Sequence, residues 1–148
     1  MIRIPTRVRY GVRALAELAA AYPARSVTVK ELAQKQRLSI KYLEQIMAVL
    51  KAVGLVSAAR GRHGGYTLTS PPESINLRSV FQVLGGDPTF VECVANPQTC
   101  AMTGDCLTRD TWVELREAMQ RILEGTTLRD LVERRGRSSR PFPAVYQI

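Results

Sequence analysis

Three cysteines within fourteen residues, Cys93, Cys100 and Cys106, are the side chains of this sequence best suited to chemistry. An odd number of cysteines argues against a disulfide framework and favours metal or redox chemistry. Thiolates in a flexible loop can converge on one metal centre, whose positive charge offsets the repulsion between them. The spacing alone fits an iron–sulfur cluster, a zinc site or free redox-active thiols equally well. A loop with incidental thiols is the remaining interpretation.

The cysteines lie in a stretch without helical or strand periodicity, residues 87–109, which we expect to be a long loop. A loop of that length in a compact protein is usually functional or disordered. Helices are predicted on both sides of it, over residues 77–84 after an Asn76 cap and over residues 110–124 before Gly125. The second helix has an apolar stripe made of Trp112 or Val113, Leu115 or Arg116, Met119, Ile122 and Leu123. A last short helix is expected to end near Arg135.

The front of the chain predicts three helices and a hairpin. Residues 6–22 have helical periodicity, with Arg7, Arg9, Arg13 and Glu17 on the polar face. Thr28 and Glu31 form a capping-box pattern that opens a short helix to about Gln36. Ser39 can cap a third helix, ended by Gly54, whose expected buried stripe is Ile40, Leu43, Ile46 or Met47, Leu50 and Val53. Strands over residues 55–59 and 66–69 follow, so the fold class is mainly α with a small β-hairpin wing, a winged helix-turn-helix.

Positive charge is concentrated in this front part. The chain has a formal net charge of +8, yet residues 1–70 carry twelve Lys or Arg and three acids, whereas residues 71–135 carry seven and ten. This asymmetry suggests that one module meets a polyanion and the other does not. A charged surface without such a partner would give the same composition.

The third helix is the candidate DNA reader, because a helix fits the major groove, where base edges show distinct donors and acceptors. Glu44 can accept from a cytosine amino group and Gln45 can pair with adenine, while Lys41 and Lys51 suit phosphates. Tyr42 lies on the same face, where we expect it to support packing. The predicted DNA-contacting residues are Ser39, Lys41, Tyr42, Glu44, Gln45 and Lys51 in the helix and Arg60, Gly61, Arg62 and His63 at the hairpin tip. A solvated hairpin turn is the alternative interpretation of the tip.

Several classes of protein do not fit the sequence. The apolar runs are far shorter than the roughly 18 residues of a membrane span, and no signal peptide is recognisable, so we expect a cytoplasmic protein without a membrane partner. One histidine, no metal-type histidine pair and no phosphate-binding glycine loop argue against an enzyme.

In order along the chain, the motifs resemble those of the IscR/NsrR-type (Rrf family) iron–sulfur winged helix-turn-helix regulators over residues 1–135. The resemblance rests on Arg9-Tyr10-Gly11-Val12, residues 39–45, Gly54-Leu55-Val56, Arg60-Gly61 with Gly64-Gly65-Tyr66, and Cys106-Leu107 with Trp112. It implies a homodimeric repressor or activator that binds double-stranded DNA at a pseudo-palindromic operator. It also implies a 2Fe–2S or 4Fe–4S cluster on Cys93, Cys100 and Cys106. The long C-terminal helix becomes the dimerisation helix, through Trp112, Leu115, Met119, Ile122 and Leu123.

The chain departs from its relatives at the cluster ligands. Six residues separate Cys93 from Cys100, one more than usual, an extension that the loop near Asn96 can absorb. Some relatives use a His three residues after the last cysteine and others an Asp near the start of the first helix, where this chain has Arg109 and Arg9. The remaining candidates for a fourth ligand are Glu92, Asp105, Asp110, a partner-subunit residue and a small exogenous ligand.

The sequence thus predicts five parts. These are a DNA-binding domain (1–72), a linking helix (73–86), a cluster-binding loop (87–109), dimerisation helices (110–135) and a flexible tail (136–148). The predicted function is a transcription regulator whose operator affinity is controlled by an iron–sulfur cluster that senses nitric oxide, redox or iron status. The alternatives are a cluster-free regulator that responds to thiol oxidation or a small molecule, and a zinc-stabilised nucleic-acid-binding adaptor.

Overall fold

A computed structural model describes residues 4–61, 64–86 and 89–137, and this part of the chain forms seven helices and one antiparallel hairpin. The elements are α1 (Thr6–Ala21), α2 (Val29–Gln36), α3 (Ile40–Ala52), β1 (Val56–Ala59), β2 (Gly65–Leu68), α4 (Leu77–Gly85), α5 (Glu92–Ala95), α6 (Arg109–Glu124) and α7 (Leu128–Arg137). Short 3₁₀ turns cover Pro72–Ser74 and Pro97–Thr99. The predicted fold class, mainly helical with one hairpin, is confirmed. No helix in the described ranges combines the length and the apolar character that crossing a bilayer requires.

Local side chains define the helix-turn-helix. The Thr28 hydroxyl accepts from the Glu31 N–H at 3.1 Å, and a Glu31 carboxylate oxygen accepts from the Thr28 N–H at 2.8 Å, which completes the predicted capping box. Arg37 turns the chain in a left-handed conformation, with φ of 54°. Ser39 then caps α3, because its Oγ accepts from the Tyr42 N–H at 3.2 Å. The two helices and the tight turn between them are therefore encoded by adjacent residues.

The buried stripe of α3 is shorter than predicted. Leu43, Ile46, Met47 and Leu50 are fully buried, whereas Ile40 and Val53 are 44% and 52% exposed. The prediction was wrong for these two residues: Ile40 is the first residue of α3 and Val53 is the cap that follows its last residue, so both lie outside the central turns that supply the buried side chains.

The hairpin is joined to the helix-turn-helix through a glycine. The strands pair in the register Val56 with Leu68, and Val27, just before the α2 cap, exchanges two backbone hydrogen bonds with Tyr66. Gly65 has φ of 151°, and a Cβ at this position would lie 2.7 Å from the Val27 carbonyl oxygen. The close contact explains why this position of the wing needs glycine.

One hydrophobic core joins the front and back parts of the chain. α1 packs against α2, α3, α4, β2 and α7, and the buried cluster extends from Val8 in α1 to Leu123 in α6 and Leu128 in α7. The proposed boundary near residue 72 therefore crosses a shared core. Gly136 and Arg137, predicted to begin a flexible tail, are instead the last residues of α7, and residues 138–148 of that predicted tail lie outside the described residues.

The segment predicted as a structureless loop contains a one-turn helix. α5 covers Glu92–Ala95, the 3₁₀ turn Pro97–Thr99 follows, and α6 begins at Arg109. A helix of four residues is too short to show apolar periodicity, which is why the sequence pattern missed it. Its Val94 side chain is buried, and α5 packs against α6.

Glu17 is a buried carboxylate that ties three helices together, although the sequence pattern placed it on a polar face. Its oxygens accept from Lys35 at 3.1 Å, Gln36 at 3.2 Å and Arg135 at 2.8 Å. Burial acts to raise the pKa of Glu17, but the hydrogen bonds and charges of Lys35 and Arg135 outweigh it and lower the pKa below its ordinary value. The carboxylate thus links α1 to the end of α2 and to α7.

Candidate nucleic-acid interface and cysteine loop

The proposed reading face of α3 is open to solvent. Lys41, Glu44, Gln45 and Lys51 are exposed, and the Ser39 oxygen is engaged in capping the helix. The side chains that could hydrogen-bond to base edges or bind phosphates are thus accessible, as a DNA-recognition helix requires. Their contacts with DNA remain a prediction.

Tyr42 has a packing partner. Its half-buried ring meets the ring of Tyr10 edge to face, with centroids 6.1 Å apart and planes at 87°. The contact joins the first turn of the proposed reader to α1. It agrees with the expectation that Tyr42 supports packing.

Two arginines of α1 extend the basic surface beside this contact. The guanidinium carbons of Arg9 and Arg13 lie 5.4 and 5.6 Å from the centroid of the Tyr10 ring. Sequence reasoning placed both on the polar face but assigned neither to the interface. The spacing of four residues, with Tyr10 beside Arg9, was the available signal.

The wing brings Arg60 and Gly61 to an exposed turn. Gly61 has φ of 106°, and the Gly64 N–H donates to its carbonyl at 2.9 Å, which closes the hairpin. The other two predicted tip residues, Arg62 and His63, lie outside the described residues.

The three cysteines are free thiols and all are half-buried. Cys93 lies within α5, Cys100 follows the 3₁₀ turn, and Cys106 precedes α6 by three residues. The Thr103 hydroxyl donates to the Cys100 carbonyl at 2.7 Å, which stabilises the turn between the second and third thiols.

Among the three thiols, Cys106 is the one with a side-chain hydrogen-bond contact to another described residue, and its pKa is shifted. Its Sγ lies 3.4 Å from the Thr108 hydroxyl, whose oxygen accepts from the Trp112 indole N–H at 3.2 Å. The Thr108 hydroxyl and backbone, followed by the backbone N–H and positive charge of Arg109, lower the pKa of the Cys106 thiol. The indole of Trp112 thus orients a hydroxyl group toward a sulfur atom.

The thiols are not gathered into a ligand set. Within residues 4–61, 64–86 and 89–137, no three His, Cys, Asp or Glu side chains are placed to hold a metal ion. The candidate fourth ligands Glu92, Asp105 and Asp110 are exposed. Arg109, which has the position of a histidine ligand in some relatives, instead donates from Nη1 to the Cys93 carbonyl at 2.7 Å.

α6 has two different faces, and they divide the residues predicted for dimerisation. Leu123 is buried in the core of its own chain and Met119 packs against that core, so neither belongs to an exposed surface. Leu115 and Ile122 are 40% and 67% exposed. We call Thr111, Leu115, Ala118 and Ile122, which recur at spacings of four, three and four, the outer seam of α6.

Comparison with known proteins places the chain in a family. The family model Rrf2, described as an iron-dependent transcriptional regulator, matches residues 4–134. Protein rrf2 of Nitratidesulfovibrio vulgaris is 37% identical over 131 residues, which cover 88% of this chain and 87% of that protein. A further relative, 35% identical over 130 residues, is named as the HTH-type transcriptional regulator CymR of Bacillus subtilis, so the family consists of regulators and not enzymes, in agreement with the prediction.

Two solved structures are similar over nearly their whole length. CymR, the global cysteine regulator of Bacillus subtilis, has a TM-score of 0.75 and 34% identity, covering 90% of this chain and 98% of that one. IscR of T. potens has a TM-score of 0.76 and 29% identity, covering 99% and 97%. The chain therefore belongs to the Rrf2 family of DNA-binding transcriptional regulators.

Proposed function

We propose that this protein is a cytoplasmic homodimeric regulator whose operator affinity is set by an iron–sulfur cluster held on Cys93, Cys100 and Cys106. The observation that supports this most is the position of the thiols. They occupy the segment that leads from α4, which packs on the DNA-binding helices, into α6, which presents the outer seam. A change at the thiols could therefore alter the position of the DNA-binding helices relative to α6.

The donor chemistry fits such a cluster. Three thiols within one short segment are the ligand type that iron–sulfur clusters take, and each is partly accessible. Thr108 and Arg109 favour the thiolate form of Cys106, the form that binds metal. The fourth ligand would come from Glu92, Asp105 or Asp110, from a partner-subunit residue or from a small exogenous ligand, because Arg109 cannot ligate. When bound, the cluster supplies a centre that reacts with oxidants or nitric oxide.

Packed elements connect the cysteines to the DNA-binding helices. Cys106 is followed within three residues by α6, which packs on α4, and α4 packs on α1 and α3. A displacement of the start of α6 would thereby reach the reading helices through packed elements. Coupling of about 1–3 kcal/mol would change operator affinity about 5- to 150-fold.

Removal of one thiol should abolish the cluster. Protein purified anaerobically should contain iron and acid-labile sulfide and absorb visible light, whereas Cys100→Ala should lose most of all three signals. Met102→Ala is the matched control, since Met102 lies in the same segment and is 62% exposed. Iron and sulfide analysis with absorbance spectra measures the effect, and mobility shifts on duplex DNA compare the loaded and metal-free proteins.

Three results would reject parts of this proposal. Unchanged metal content in Cys100→Ala would remove Cys100 from the site. Zinc without sulfide would favour a zinc-stabilised protein. Equal operator affinity of loaded and metal-free protein would remove the cluster from regulation.

A second candidate function is a regulator without a cluster that responds to thiol oxidation. It is favoured by the arrangement of the three thiols, which do not form a ligand set within the described residues, and by the similarity to a protein named as a cysteine regulator. Colourless protein after anaerobic purification and iron–sulfide reconstitution, with operator affinity that changes on mild oxidation, would select this candidate.

The outer seam of α6 is the proposed dimer contact. Leu115 and Ile122 are exposed apolar residues, and with Thr111 and the half-buried Ala118 they form a narrow stripe at spacings of four, three and four that is suited to pack against another helix. Glu114 flanks its first half and Arg121 its second half, while Glu117, near the middle, lies 3.9 Å from Arg121 of the same helix. An antiparallel second copy of α6 would therefore match opposite charges as well as apolar side chains.

A carboxylate in this seam should dissociate the dimer. Ile122→Glu should raise the dimer dissociation constant at least about tenfold, because burial of an unpaired carboxylate costs several kcal/mol and the two-fold axis places it in the contact twice. Sedimentation equilibrium measures the constant. Gln34→Glu, which adds the same charge at an exposed position of α2, should leave it unchanged. An Ile122→Glu protein as dimeric as the wild type would exclude this face as the contact.

A further inference from the structure

Two arginines of α6 hold the helix that carries Cys93. Arg109 and Arg116 are seven residues apart, hence on one face of α6, and they donate to consecutive carbonyl oxygens of α5. The Arg109 Nη1 lies 2.7 Å from the Cys93 oxygen and the Arg116 Nη1 lies 3.4 Å from the Val94 oxygen. We call this pair of contacts the arginine brace.

The brace meets a need that α5 has because of its length. In a one-turn helix the last carbonyls find no partner further along the same helix. The Glu92 carbonyl is satisfied by the Asn96 N–H at 2.8 Å, but Pro97, next in sequence, has no N–H to give to the Cys93 carbonyl. A guanidinium at the negative end of a helix satisfies such a carbonyl and is attracted by the local dipole.

Arg109 joins both ends of the cysteine segment. Its side chain bonds the carbonyl of Cys93, and its backbone N–H donates to the carbonyl of Cys106 at 3.2 Å. The residue thereby connects the first and third cysteines to the first turn of α6. A movement of Cys93 that breaks this bond would therefore remove a contact made by the first turn of α6.

We propose that Arg109 and Arg116 are positioning residues that fix Cys93 against α6 and transmit changes in its ligation to that helix. The proposal rests on the proposed function, because ligation at Cys93 is part of it. It gives Arg109 a role at the position where some relatives have a histidine ligand. Arg109 acts through the Cys93 carbonyl and not as a ligand.

Thiol reactivity tests the brace in metal-free protein. In reduced protein, Arg109→Ala should raise the rate of Cys93 alkylation by iodoacetamide about fivefold or more, since α5 loses its tether. Cys100, whose carbonyl is bonded by Thr103, should change little. Arg116→Ala should have a smaller effect because its bond is longer. Peptide mass spectrometry measures each thiol separately.

The controls separate positioning from general loss of structure. Arg129→Ala, at an exposed arginine of α7, should leave all three rates unchanged. Arg109→Lys should restore part of the protection, because lysine retains one charged donor but lacks the planar fork. Circular dichroism and thermal unfolding should show an intact fold in each variant. An unchanged Cys93 rate in Arg109→Ala would overturn the brace.

A second measurement tests transmission. The ratio of operator affinities between protein reconstituted with iron and sulfide and metal-free protein should move toward one in Arg109→Ala, while the affinity of the metal-free form stays at the wild-type value. A wild-type ratio in this variant would overturn transmission. If the wild-type protein takes up no iron and sulfide, the proposed function fails, and the alkylation rates still decide the brace.

Discussion

Replacement of Glu17 by alanine should lower the free energy of unfolding by about 2–4 kcal/mol at neutral pH. The carboxylate is 7% exposed and accepts charged hydrogen bonds from Lys35 and Arg135. Its removal also strands the buried side-chain amide of Gln36, which donates to it at 3.2 Å. The loss stays below that of a fully buried ion pair, because Lys35 and Arg135 are 47% and 65% exposed and can be solvated.

The ionic contribution of Glu17 to stability should be lost in acid. Lys35 and Arg135 hold the pKa of Glu17 below its ordinary value in the folded protein. A lowered carboxyl pKa contributes stability that is fully present above the pKa of the unfolded chain and is lost as the pH falls through that of the folded protein. The difference between wild type and Glu17→Ala should therefore be largest at neutral pH and shrink as the pH falls below the ordinary range of a glutamate.

Urea unfolding followed by circular dichroism, at fixed protein concentration and several pH values, measures this difference. Glu31→Ala is the control, because Glu31 is a partly exposed capping-box carboxylate whose loss should cost about 1 kcal/mol. A Glu17→Ala variant no less stable than Glu31→Ala at neutral pH would contradict the role of Glu17 as a buried link. Equal losses at neutral and acid pH would contradict the ionic cause.

The elements that sequence reasoning placed correctly are those with local signals. The Thr28–Glu31 capping box, the Ser39 cap and the Asn76 cap each depend on residues three positions apart, and the structure has all three hydrogen-bonded caps. The hairpin was likewise indicated by the glycines between two short apolar runs. Such signals are readable because the chemistry is complete within one turn of chain.

The misses concern contacts between residues distant in sequence. Glu17 shares the polar face of α1 with exposed arginines, and only the packing of α2 and α7 makes it a buried link. The sequence pattern predicted one apolar stripe along α6, yet Leu123 is buried in the core and Ile122 is exposed. Periodicity shows that a helix has apolar residues, but it does not show which of two adjacent faces meets the core.

The candidate site divides in the same way. Cys93, Cys100 and Cys106 stood out by residue type, and the resemblance of the flanking motifs supplied their interpretation. The roles of Arg109 and Arg116 depend on α5, which is too short to be seen in the pattern. Their spacing of seven residues indicated that both lie on one face of the helix, but it did not indicate what that face contacts.

Replacement of both Glu44 and Gln45 in α3 by alanine should abolish the preference of the protein for one DNA sequence over another. Glu44 and Gln45 are exposed on the proposed reading face and have the acceptor and the amide that suit base edges. Each single change to alanine should cost about 1–3 kcal/mol per half-site, and the double change about 2–6 kcal/mol if the two contacts are independent. The probe is a duplex selected with wild-type protein from a random pool, compared with a scrambled duplex.

Lys51→Ala provides the matched control, because an exposed lysine that binds a phosphate should contribute equally to the affinity for every duplex, whatever its sequence. It should weaken binding to selected and scrambled DNA by the same factor and reduce the dependence of log affinity on log salt by about one per contact. Glu44→Ala and Gln45→Ala should instead leave the salt slope and the scrambled duplex almost unchanged. Equal losses on both duplexes would show that α3 does not read bases, since a helix that only approaches the backbone cannot discriminate between sequences.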